Sequence, residues 1–116
     1  MDTINLLNKI IGRFYFKRTQ NHNLIGEFSN SVHRRNYTES ADCIKAIENF
    51  VGEYHATWQD NGEAIFSKLT INWKPNTGNT IFQLEWTSKN GDKMFEGEGF
   101  LFDNVLIGDY RNFEII

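Results

Sequence analysis

Side chains able to do chemistry are plentiful in this sequence but dispersed. His22, His33 and His55 are too far apart to form a ligand set, and Cys43 is the single cysteine, so no Cys/His spacing for zinc exists and no metal or cofactor is expected. Glu96 and Glu98 stand two residues apart, with Glu53 and Glu85 on neighbouring segments; paired carboxylates do acid/base work when burial raises one of them, but on a water-facing sheet surface they are solvated. His55 and Arg111, each beside a core aromatic, are better placed for a polar contact, although alternation with Tyr54 and Trp58 puts His55 outside. There is no G-x-S-x-G, no phosphate-binding loop and no G-x-G-x-x-G opening a helix, and Gly97-x-Gly99 lies within a strand pattern. The remaining candidate is aromatic. Tyr54, Trp58, Trp73, Phe82, Trp86, Phe95 and Tyr110, with Arg111 as a polar anchor, either line a ligand site or fill a plain core.

The elements that must position these residues divide near residue 51. In the first part, Ile4, Leu7, Ile11 and Phe14 recur at helical spacing and predict an amphipathic helix from about residue 3 to residue 12 or beyond. Residues 13–18 read equally well as strand, and a short strand fits near Leu24 to Ser29. Ser40 reads as an N-cap, with Ala41, Ile44, Ile47 and Val51 on one face, which predicts a second helix to about Phe50. Beyond it the pattern is alternation. Turn-forming clusters such as Asp60-Asn61-Gly62, Lys89-Asn90-Gly91-Asp92 and Asp103-Asn104 separate five segments, at about 53–59, 63–73, 80–88, 93–102 and 105–113. One polar and one apolar face in each means an antiparallel meander packed on one side. Gly97 and Gly99 on the apolar face predict strong curvature, and Trp58, Trp73 and Trp86 are expected to share one interior.

The chain of 116 residues is expected to be a single domain, residues 1–50 largely helical or irregular and 51–116 the meander: an α+β fold with N-terminal helices on a strongly curved sheet, open as a cone or closed as a barrel. A net charge of −3, with Lys17-Arg18 and His33-Arg34-Arg35 its only compact basic stretches, argues against nucleic acid. No segment approaches the length of a membrane span, the N-terminus lacks the basic start of a secretory signal, and one cysteine makes no disulfide framework, so a cytoplasmic setting is expected.

The second half resembles lipocalin-like (calycin-type) β-barrel domains. The resemblance rests on Gly52-x-Tyr54, Leu69-x-Ile71, Phe82-x-Leu84-x-Trp86, Phe95-x-Gly97-x-Gly99, and Asn104-x-Leu106 running to Tyr110, and spans roughly residues 51–113. It implies an inner face lining an apolar pocket for a small ligand. Such barrels close with about eight strands, so closure here requires the N-terminal segments or a second subunit. Helices followed by a curved meander ending in Phe102-Asp103-Asn104-Val105-Leu106-Ile107-Gly108-Asp109-Tyr110-Arg111 also resemble the cone-shaped fold of nuclear transport factor 2 and its relatives, which include isomerases, dehydratases and binding modules. The expected function is a non-catalytic module holding a small apolar or amphipathic molecule against the aromatic face. The alternatives are a small cone-fold enzyme and a homodimeric interaction protein with a filled core.

Overall fold

A computed structural model describes residues 9–32 and 35–112. Eight strands follow one another: β1 (Ile11–Arg18), β2 (Leu24–Asn30), β3 (Tyr37–Glu48), β4 (Val51–Asp60), β5 (Glu63–Trp73), β6 (Phe82–Thr87), β7 (Lys93–Phe102) and β8 (Val105–Asn112). Each pairs antiparallel with the next, and β8 returns to β1 from Ile11↔Arg111 to Lys17↔Val105, so the sheet is a closed up-and-down barrel. The five alternating segments of the second half are β4 to β8. Closure comes from β1, β2 and β3 of the same chain.

The α+β expectation is overturned: among the described residues there is no helix. The first expected helix ends in β1, where Phe14 faces the core and Ile11 is exposed on the other side; residues 3–8 lie outside the described residues. The second is β3, and the error has a specific cause. Pairing with β4 runs Cys43↔Tyr54 then Lys45↔Glu53, and Ala46↔Gly52 then Glu48↔Val51, so Ile44 and Ile47 are extra residues at two β-bulges. Each bulge adds one residue to a period of two and breaks the alternation, so the three-residue spacing of Ala41, Ile44 and Ile47 reads as helical although the three share no face. Both isoleucines are exposed, at 48% and 58%. With no helix among the described residues, the cone-fold resemblance loses the elements on which it rested there.

Tight turns follow the chemistry of their residues. Asn61 and Gly62 have φ of 52° and 83°, Asp103 and Asn104 53° and 63°, the left-handed pairs that two-residue hairpins require. Both glycines of β7 face inward against β8: a Cβ on Gly97 would stand 2.5 Å from the Asp109 carbonyl oxygen, and one on Gly99 2.8 Å from that of Ile107. The curvature expected of this strand is thus accompanied by close approach of the neighbouring backbone.

An eight-stranded barrel is just wide enough for its own side chains or for one small ligand, and this one divides between the two. At the end carrying the β1–β2, β3–β4, β5–β6 and β7–β8 turns the lumen is filled. Phe16, Leu24, Tyr54, Leu69, Ile71, Phe82, Leu84 and Leu106 are fully buried, Phe50 packs on Phe82 at 6.0 Å, and the Arg18 guanidinium lies 5.6 Å from the Phe50 ring centroid. The opposite end, where β1 begins and β8 ends, is different.

Candidate functional site

At that end residues of β1, β2, β3, β4, β6, β7 and β8 surround a cavity of about 70 Å³, lined chiefly by aromatic side chains with Glu39, Asn30, Gln59 and Asp60 among them. A single water needs about 10–15 Å³ of such space, so there is room for several waters or one compact organic group. Four rings form its wall as a closed cycle of edge-to-face contacts. Phe28 meets Trp58 at 6.4 Å, Trp58 meets Phe95 at 6.1 Å, Phe95 meets Tyr110 at 5.6 Å, and Tyr110 returns to Phe28 at 6.2 Å, with interplanar angles between 69° and 84°. Edge-to-face contact sets the positive rim of one ring against the negative face of the next, which fixes the orientation of all four.

Glycine places the Tyr110 ring. On β1, Gly12 pairs with Tyr110 on one side and Asn30 on the other. A Cβ there would stand 2.5 Å from Tyr110 Cε1, so the ring lies across the bare backbone of β1 and its hydroxyl accepts a hydrogen bond from Asn30 Nδ2 at 2.8 Å. Burial, offset in part by that bond, pushes the Tyr110 hydroxyl up to about 12, so it stays neutral.

Glu39 is the one charged residue buried in the barrel wall, 5% exposed among the described residues. It points inward because it shares a face with Ala41, and its partner on β2 is Gly26, which carries no side chain. Trp86 Nε1, from β6 across the lumen, donates to Glu39 Oε2 at 2.8 Å; the inward residues Ala56 and Ser67 of the intervening strands are small. That donor is the one hydrogen-bond partner of Glu39 among the described residues, and the residue lines the cavity. Burial pushes the carboxyl up to about 7 against the opposing pull of the indole bond.

Of the expected site residues, the structure brings Trp58, Trp86, Phe95 and Tyr110 to the cavity. Tyr54 and Phe82 belong to the filled end, where the Tyr54 hydroxyl donates to the Phe50 carbonyl at 2.7 Å. Trp73 is there too, stacked on Phe82 at 4.2 Å with Nε1 donating to Glu48 Oε1, so the three tryptophans do not share one space. Arg111 is on the outer wall, 2.9 Å from Glu96. The acidic residues considered for catalysis are outside as well: Lys93 lies between Glu85 at 3.0 Å and Glu96 at 3.9 Å, Lys68 holds Glu53 at 2.6 Å, and Lys74 bonds Glu98. His55 is exposed, and of the basic stretch at 33–35 the first two residues lie outside the described ones.

Glu39, Asn30, Phe14 and Phe28 are among the lining residues that sequence reasoning missed, with Ile10, Gln59 and Asp60. A signal for Glu39 existed. Alternation extended back from Ala41 makes it a lone acid in an inward set, but reading Ser40 as a helix cap hid it. No helix long and apolar enough to cross a membrane occurs among the described residues. Comparison with models of known protein families, with curated proteins and with solved structures finds no match in any of the three.

Proposed function

We propose that this barrel is a small-molecule-binding module of the lipocalin-like type, which takes an apolar or amphipathic molecule into its open end without transforming it. The observation that carries this reading is the difference between the two ends. One is packed with large aliphatic and aromatic side chains, whereas the other leaves a cavity walled by four oriented rings with a few polar groups among them. An unfilled lumen forgoes packing energy, and binding sites have this composition.

Native mass spectra of the purified protein and titration of tryptophan emission with small alcohols (cyclohexanol, 3,3-dimethylbutanol, octanol) test it, since Trp58 and Trp86 both line the cavity. A retained mass, or a saturable change in emission that Trp58→Ala abolishes, supports the reading. A bare chain whose emission none of the three moves overturns it.

A second reading has one observation behind it. A buried carboxyl with its midpoint near 7 is poised for proton transfer, and Glu39 would then be a general acid or base. Recovery of a bound compound chemically unchanged after prolonged incubation separates binder from enzyme.

A further inference from the structure

Resting on the binding-module reading, we infer that the occupant of the cavity is an organic cation, an ammonium headgroup held by the Phe28–Trp58–Phe95–Tyr110 ring cycle with the Glu39 carboxylate behind it. Two independent features point the same way. Four aromatic rings in mutual contact line the cavity, and π-faces attract a cation within about 6 Å of the ring centroid, most strongly where water is excluded. The buried acid Glu39 lines the cavity, and no lysine, arginine or histidine does so among the described residues.

Charge balance favours the same class. A buried carboxylate with a single hydrogen bond is costly when ionised, and Trp86 Nε1 supplies that single bond on Oε2. A cation arriving beside the carboxyl provides a counter-charge. An anionic ligand would face Glu39, and a neutral apolar one would supply no counter-charge. The titratable residues that share the cavity with Glu39 are Asp60 from β4 and Tyr110 from β8, and the phenol stays neutral. Affinity for a cation therefore rises with pH as Glu39 loses its proton.

Choline and 3,3-dimethylbutanol have the same shape and differ in charge, so titrating both by tryptophan emission and calorimetry at pH 8 isolates the cation. The expected result is choline binding at least about tenfold tighter, with Glu39→Gln reducing the ratio to threefold or less on the order-of-magnitude scale of a lost charge contact. Melting curves of the variant confirm that it is folded, and a Phe95→Leu variant, which removes one ring and retains the carboxylate, provides a second measure by weakening choline more than the alcohol. Equal or tighter binding of the alcohol overturns the cation inference and leaves the binding module standing. If neither compound binds and the purified chain carries no retained mass, both fall; a retained mass that proves to be neutral or anionic overturns the cation alone.

Discussion

Trp86 and Glu39 meet across the lumen, three strands apart around the barrel, with indole Nε1 donating to carboxyl Oε2 at 2.8 Å. The bond ties β6 to β3 without any backbone pairing between them. It also places an acid in an apolar interior, where its charge is unfavourable, and this has a consequence for stability.

In the folded chain burial holds the Glu39 carboxyl up to about 7, against an ordinary value of 4.5. The folded state therefore keeps a proton that the unfolded chain has released. The stabilisation is complete below the unfolded value and is lost as pH rises through the folded one. Stability should fall by on the order of 3 kcal/mol between pH 4.5 and pH 8, and Glu39→Gln should flatten this slope. Glu53, which its Lys68 partner holds below the usual range, acts only at lower pH and in the opposite sense. Urea unfolding at several pH values measures the effect, and a flat wild-type profile would contradict the assignment.

Gly12 is required by what lies over it. A methyl group there meets Tyr110 Cε1 and the Ser29 carbonyl oxygen, each at 2.5 Å. Gly12→Ala should cost about 1–3 kcal/mol, the usual penalty of overpacking, and should disturb the Asn30–Tyr110 bond that closes one side of the cavity. Tyr110→Phe removes the hydroxyl and keeps the ring, at about 1 kcal/mol. Thermal melts of the two variants order them, and a Gly12→Ala protein as stable as wild type would show that the ring does not lie there.

The glycines of β7 also face backbone, because the atoms nearest a Cβ are carbonyl oxygens of β8 that cannot rotate away. The Gly97→Val, Gly99→Val double variant should lose most of its folded population at 25 °C, since each position carries a clash worth about 1–3 kcal/mol or more. Far-ultraviolet circular dichroism reads this directly. An unchanged melting temperature would mean that the strand has slack at both positions.

How much of this was legible in the sequence depends on what sets the period of each strand. From β4 to β8 the successive pairings run without register shift except for one between Trp86 and Thr87 where β6 meets β7, so Phe82, Leu84 and Trp86 display the core face by simple alternation. In β3 two bulges break that alternation, and local spacing alone cannot tell a twice-bulged strand from an amphipathic helix. The same error removed Glu39 from view. Half of the eight expected site residues lie at the cavity and the rest do not, because alternation says which face a residue occupies and says nothing of which end of the barrel it reaches. Trp58 and Trp73 obey the same pattern, yet they stand at opposite ends of the strand pair that carries them.

The bulges themselves can be tested. If Ile47 were on the buried face of a helix, a charge there would unfold the domain. In the barrel it is 58% exposed, and Ile47→Lys should change stability by no more than about 0.5 kcal/mol, as at ordinary surface positions. Denaturant melts decide between the two, and a loss of several kcal/mol would restore the helical reading of residues 40–50.

If the cavity end of the lumen binds a ligand as proposed, its separation from the filled end predicts that stability and ligand binding separate by residue. Tyr54 is fully buried at the filled end, where its hydroxyl satisfies the Phe50 carbonyl at 2.7 Å. Tyr54→Phe leaves that carbonyl without its donor and should cost about 1–3 kcal/mol, while affinity for whatever ligand the barrel takes stays within twofold on the scale expected of distant, independent sites. Trp58 is half-buried at the mouth, between Phe28 and Phe95. Trp58→Ala should reverse the pattern, weakening the ligand tenfold or more on the order-of-magnitude scale of a lost aromatic anchor, with a smaller change in melting temperature than a core truncation gives. Paired melts and titrations on the two variants provide the check. Should Tyr54→Phe weaken the ligand as much as Trp58→Ala does, the cavity would have to extend through the packed layer, and the barrel would be a continuous channel instead of a cup with a solid base.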